Sequence, residues 1–282
     1  MLFRSGVVNV IVDQNDLGTA LTGHPDVAKV AFTGSTATGK KVMASAAGTL
    51  KRLTLELGGN DAAIVLEDAN PKEVAPKIYA AATALSGQAC IAIKRLYVHD
   101  SIYDAVCDEL GQLARATVVG DGLEPHTQMG PLQNQAQFER VKGLLEDARR
   151  NGTVVTGGWP IEREGYFVQP TIVRDISDNA RLVREEQFGP VLPVLRFSDI
   201  DEVIARANDT EFGLGGSVWS SDRERAFRVA TQVNAGMVWV NKHLDPSLDT
   251  PLAGAKQSGI GVEMGQEGLE EFTQATIINM AK

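Results

Sequence analysis

Hydrophobic positions along the chain fall into two spacings. Runs rich in β-branched residues at 7–12, 27–33, 53–57, 62–66, 95–99, 191–197, 214–219 and 237–241 read as strands. Between them, apolar residues recur every three or four positions, as on one face of a helix. Asn70 reads as an N-cap, with Pro71 at the first helical position and Glu73 three residues after the cap. That helix is expected to run through an alanine-rich stretch to about Leu85. Ser101 is expected to cap a helix carrying Ile102, Val106, Leu110 and Leu113. Phe138, Val141, Leu144, Leu145 and Ala148 form a second stripe, stopped by Asn151-Gly152. A shorter stripe with Val203, Ile204 and Ala207 follows Ser198, and Ser221 with Glu224 opens another that ends near Gly236. Residues 272–280 read as a last strand with no later helix to cover it. Such a strand is either an ordinary sheet edge or an edge that pairs with another copy of the chain.

Strand–helix alternation of this kind predicts an α/β protein with open, mostly parallel sheets covered by helices. The 282 residues suffice for two domains with their own cores. The segment from Gly6 starts as a strand already in progress, with no earlier unit to pair with. Residues 1–5 do not read as native protein. The chain is therefore expected to be the C-terminal part of a longer one.

Charge narrows the function. With 36 acidic and 27 basic side chains the net charge is −9, which argues against a nucleic-acid partner. No apolar run is long enough to span a bilayer, and the first twenty residues carry no signal-peptide pattern, so a cytoplasmic, non-membrane protein is expected. Two cysteines in a chain this long do not make a disulfide scaffold. His24, His99, His126 and His243 are scattered without metal-ligand spacing, so no metal site is expected.

Four segments remain as candidate chemistry. Cys90, in Gly87-Gln88-Ala89-Cys90-Ile91, and Glu56, in Leu55-Glu56-Leu57-Gly58-Gly59, each lie beside glycine. A thiol and a carboxylate so placed suggest a nucleophile and a base, with backbone N–H groups free to approach a reacting atom. The alternatives are a buried packing thiol and a solvated carboxylate. Cys107, inside an amphipathic helix, reads as a packing residue. Gly34-Ser35-Thr36-Ala37-Thr38-Gly39-Lys40-Lys41 follows a strand and opens a helix, a place suited to phosphate or to a plain tight turn. It misses a nucleoside-triphosphate loop at its last position, where Lys41 has no hydroxyl for Mg²⁺. Glu185-Glu186-Gln187-Phe188-Gly189-Pro190 could hold ribose hydroxyls or form an exposed acidic turn.

Together, and in this order, these segments resemble signatures of the aldehyde dehydrogenase superfamily. Gly236-Met237-Val238-Trp239-Val240-Asn241 and Lys256-Gln257-Ser258-Gly259-Ile260-Gly261 are similar to two more. The resemblance implies a remnant of a Rossmann-like cofactor domain at 1–58, a catalytic domain at 59–257 and a C-terminal segment with an oligomerisation strand at 258–282. It implies Cys90 as nucleophile and Glu56 as the base that activates water. Gly34, Ser35 and Gly39 would lie at the cofactor phosphates, Glu186 at the nicotinamide ribose and Phe188 near the nicotinamide. The cofactor would be NAD or NADP, the substrate an aldehyde and the assembly a homo-oligomer. An asparagine that the family pairs with the cysteine N–H belongs to an earlier segment absent here. Pro251-Leu252-Ala253-Gly254 departs from the usual P-F-G-G, which implies a wider pocket at Leu252. Ala89 and Ile91 beside Cys90 imply an apolar aldehyde. Two other functions stay open: a non-catalytic or partner-dependent subunit, and a cofactor-independent cysteine esterase.

Overall fold

In the computed structural model, residues 4–14, 16–245 and 247–281 are described. In chain order the elements are α1 Gly18–Gly23, β1 Lys29–Thr33, α2 Thr36–Ala46, β2 Arg52–Glu56, β3 Asp61–Val65, α3 Pro71–Thr83, β4 Ile93–His99 and α4 Tyr103–Ala116. They continue with α5 Gln135–Asn151, β5 Thr153–Thr156, β6 Thr171–Arg174, α6 Arg181–Arg184, β7 Val191–Phe197, α7 Ile200–Asn208, β8 Phe212–Gly213 and β9 Gly215–Trp219. The last are α8 Arg223–Ala230, β10 Met237–Val240, β11 Ala255–Lys256, β12 Gly259–Ile260 and α9 Gly265–Glu270.

Two larger sheets organise the chain, with a two-stranded antiparallel pair of β8 and β11 beside them. The larger has the order β10-β9-β3-β4-β7-β6-β5, and only β5 runs antiparallel to its neighbour. Apart from Asp61, Lys94 and Arg95 near their N-terminal ends, β3 and β4 are apolar on both faces, as a sheet covered on both sides requires. In β3, Ala62 and Ile64 face one core with Val141 and Leu144 of α5 and Val203 of α7. Ala63 and Val65 face the other, with Ala75 and Ile78 of α3 and Val106 and Leu110 of α4. The smaller sheet pairs β1 with β2 in parallel and β2 with β12 in antiparallel. The expected boundary at residue 58 falls between β2 and β3, which belong to different sheets. The chain beyond residue 257 returns to the smaller sheet through Gly259 opposite Glu56.

Three expectations need correction. Residues 7–12 form no strand, and Val8, Val10 and Val12 are exposed, because no described strand pairs with them. Residues 272–280 likewise form no strand; Ile277, Ile278 and Met280 lie open to solvent. β propensity alone makes no ladder without a partner edge. The alanine-rich helix ends at Thr83 rather than Leu85, since Leu85 and Ser86 take left-handed φ of 52° and 59°. Smaller shifts affect helix starts. Asn70 caps α3 as expected, accepting from the Lys72 N–H. The caps of α7 and α8 are Asp199 and Asp222, one residue after the serines expected there. A 3₁₀ turn precedes α4, with His99 rather than Ser101 as its cap. No described helix is long and apolar enough to cross a membrane.

Candidate active site

The two sheets meet where the C-terminal ends of β1 and β2 approach the N-terminal ends of β3, β4 and β9. Glu56 is the last residue of β2 and only 3% exposed. Its Oε1 has no hydrogen-bond partner. Desolvation, with a smaller contribution from the nearby Glu263 carboxylate, pushes its carboxyl up to about 7. The alternative of a solvated or salt-bridged glutamate does not hold.

Beyond Glu56 the backbone runs through Gly58 and Gly59 to β3. A Cβ on Gly59 would stand 2.5 Å from the Cys90 carbonyl oxygen, and one on Gly58 2.4 Å from Glu186 Oε2. Glycine here lets the Cys90 backbone and the Glu186 carboxylate, from two segments far away in sequence, pack against this stretch. The Gly59 N–H donates to Glu186 Oε1 at 3.0 Å. Ser258 closes the arrangement from the C-terminal side: its Oγ donates to the Gly58 carbonyl at 2.6 Å and accepts from the Gly213 N–H at 2.9 Å.

Cys90 lies in the turn that leads into β4, half-buried. The turn's position is set upstream by Gly87, whose φ is 72° and whose α-carbon lies on the Gly189 backbone. An apolar wall of Ile91, Leu214, Met237 and Trp239 backs the thiol, with Leu244 and Leu252 packed beside it. Burial raises the thiol above its ordinary value, while the Lys94 ammonium and the Ile91 N–H pull it back down. Cys107, buried in α4, is pushed up to about 12 by desolvation and stays protonated.

The glycine-rich turn reaches the same place. Thr33 pairs with Glu56 in the β1–β2 register, and the Gly34 N–H donates to the Glu56 carbonyl at 3.0 Å. Ser35 caps α2 through its Oγ, which accepts from the Thr38 N–H. The amides of Thr36 and Ala37, at the start of α2, have no partner within the helix. Gly39 sits inside α2, with its N–H donated to the Ser35 carbonyl. It therefore offers no amide to a phosphate. Instead it packs on Leu57 and lines a groove of about 450 Å³ with Thr36, Lys256, Gln257 and Ile260.

Glu186 faces this junction, whereas Glu185 turns outward to Arg140 and Arg181. Desolvation outweighs Lys94 and the Gly59 N–H and leaves the Glu186 carboxyl above its ordinary range. Phe188 has a left-handed φ of 47°, and Gln137 donates to the carbonyls of Gln187 and Phe188.

The sequence profile of the aldehyde dehydrogenase family matches residues 3–278. The chain belongs to this family. It is 44% identical over 282 residues to a mitochondrial aldehyde dehydrogenase of Leishmania tarentolae, covering 99% of this chain and 57% of that protein. It is 40% identical over 274 residues to a betaine aldehyde dehydrogenase of Brucella anthropi, covering 95% of this chain and 56% of that one. Among solved structures, it superposes on a Bacillus cereus aldehyde dehydrogenase in complex with NAD+ with a TM-score of 0.89 at 41% identity. That match covers 91% of this chain and 52% of the other. The chain thus spans little more than half the length of the aldehyde dehydrogenases it matches.

Sequence reasoning overlooked Asp61, Lys94 and His243, all buried around the Cys90 turn. A signal was present for Lys94, since a lysine inside the apolar run from Ile91 to Val98 is rarely buried without partners.

Proposed function

We propose that this chain carries the catalytic residues of an NAD(P)⁺-dependent aldehyde dehydrogenase, with Cys90 as nucleophile and Glu56 as general base. The observation that carries this reading is the convergence of Cys90, Glu56 and Glu186 on the two glycines 58 and 59, with Glu56 buried, unpaired and raised to about 7.

The Cys90 thiolate attacks the aldehyde carbonyl carbon, forming a C–S bond and an oxyanion. The Cys90 backbone N–H donates to that oxyanion. A bound nicotinamide would supply the hydride acceptor that converts this adduct to a thioester. The remaining thioester on Cys90 is attacked by water, and Glu56 takes the water's proton. The C–S bond breaks, the acid leaves and the thiolate is restored. A carboxyl raised to about 7 suits this step, because it is a stronger base than an ordinary carboxylate and still ionises near neutral pH.

The residues present fit the cofactor. The open amides of α2 after Gly34 and Ser35 suit a phosphate. Gly39 opens the adjoining groove, Glu186 faces the junction for a ribose diol, and Phe188 stands two residues on in the same segment. The division at 58 and 257 and a homo-oligomer built through residues 272–280 are kept in this proposal; the exposed Ile277 and Ile278 support the second. Two free cysteines support a cytosolic setting. The wall of Trp239, Leu244 and Leu252 supports an apolar aldehyde.

The test is a chimera. This chain is joined behind the part of the Brucella anthropi relative that it does not cover, and an apolar aldehyde with NAD⁺ or NADP⁺ is supplied. Reduced nicotinamide should accumulate, and Cys90→Ala should cut its formation by at least about 10³-fold. Turnover close to that of the unmutated chimera would remove Cys90 from the chemistry.

A further inference from the structure

The turn that carries Cys90 presents four successive carbonyls, from Ala89 to Ala92, and two buried side chains hold all four. Lys94 is 1% exposed, and its Nζ donates to the carbonyls of Ala89 at 2.9 Å, Cys90 at 2.7 Å and Ala92 at 3.3 Å. His243 Nε2 donates to the Ile91 carbonyl at 2.9 Å. The histidine tautomer follows from its neighbours. Trp219 Nε1 donates to Ser217 Oγ, whose hydroxyl then donates to His243 Nδ1. A carbonyl oxygen only accepts, so Nε2 carries a proton that faces it.

Peptide planarity gives these contacts a consequence for the thiol. In a trans peptide the C=O and the following N–H point in opposite directions. Holding the Ala89 oxygen on Lys94 aims the Cys90 N–H away from Lys94. Holding the Cys90 oxygen there aims the Ile91 N–H away from Lys94 as well. Three carbonyl acceptors also require three N–H donors, which an ammonium has and a neutral amine lacks. Burial draws the Lys94 ammonium below its ordinary range, opposed by Asp61, by Glu186, whose Oε1 stands 3.8 Å from Nζ, and by Cys90, which favour the charged form.

We propose that Lys94 is the positioning residue of the nucleophile turn. Its ammonium gathers the turn's carbonyls so that the Cys90 and Ile91 N–H groups face the reacting sulfur and the oxyanion, and it ties this turn electrostatically to Glu186. The inference rests on Cys90 as nucleophile. It adds a residue outside the family signatures quoted above.

The charged groups that face Cys90 are Lys94, Asp61 and Glu186. The experiment is the rate of iodoacetamide labelling of Cys90 across pH in the 282-residue chain, read by peptide mapping so that Cys107 is counted separately. Lys94→Met removes the cation and all three donors at similar volume. Its labelling curve should move to higher pH by about one unit or more, a loss of about tenfold or more in rate at a fixed pH below the midpoint. Glu186→Gln keeps the acceptor for the Gly59 N–H and removes a negative charge. Its curve should move to lower pH. A turn merely loosened by substitution would not shift the two variants in opposite directions. Coincidence of the Lys94→Met and parental curves, in proteins with the same circular dichroism, would overturn the proposal.

Should Lys94→Met fail to fold, the parent carries the test by nitrogen-15 NMR of labelled lysines. A slowly exchanging ammonium resonance that shifts when Cys90 is alkylated is expected, and its absence at neutral pH would overturn the proposal. Labelling needs no turnover. An inactive chimera with the expected labelling curves therefore counts against the proposed reaction and not against Lys94.

Discussion

Glu56 is the residue whose surroundings determine most. Its proton is bound more tightly in the native protein, near 7, than in the unfolded chain, where the ordinary value is 4.5. The native state therefore holds the extra proton between those values, and stability falls as pH rises from about 4.5 to about 7. At 1.36 kcal/mol per unit the full loss is between about 3 and 3.5 kcal/mol. Glu56→Gln escapes it. Urea unfolding should show the variant gaining stability over the parent as pH rises from 5 to 8, by about 2–3 kcal/mol at the upper end. Parallel stability curves for the two proteins would mean that Glu56 is not buried in charged form. Composition around Glu56 suggested a base but not its burial, which comes from Gly259 pairing across β2 more than 200 residues away in the chain. The same limit hid Lys94 and His243, whose partners lie on a turn and a strand that only the fold assembles.

At the scale of elements, the junctions between strands and helices carry the constraint. The helix after Asn70 and the strands of the larger sheet were readable because each repeats its period over several residues and meets a partner. The register of left-handed residues 85–87 was not, because it answers to the Gly189 backbone rather than to local propensity. Gly87→Ala tests this. An added Cβ would stand 2.3 Å from the Gly189 carbonyl oxygen on a backbone with φ of 72°. The expected cost is about 3 kcal/mol or more in urea unfolding. Gly143→Ala is the contrast: it lies within α5 with nothing within 4 Å of the added carbon. It should stabilise the chain by about 0.5–1 kcal/mol. Equal effects of the two substitutions would contradict the account of the turn.

At the scale of the whole molecule, the site belongs to neither sheet. The smaller sheet supplies Glu56 and the opening of α2, the larger supplies Cys90, Lys94 and Glu186, and residues 258–260 fasten the two through Ser258 and β12. Strand–helix alternation told the fold class, and the order of glycine-flanked segments told the family. Neither told that the junction would form where strand ends of opposite polarity meet. The apolar segments 7–12 and 272–280 kept the look of strands but found no described partner. The most direct test of the assembled site is the lifetime of an acyl group on Cys90, because it asks for nucleophile and base together. The chain is acylated with p-nitrophenyl acetate, and the thioester is followed by peptide mass spectrometry. The account predicts acetyl on Cys90 that is lost with a rate rising through about pH 7, and that persists at least about 10²-fold longer in Glu56→Gln. Acetyl on another residue, or equal lifetimes in the two proteins, would contradict it.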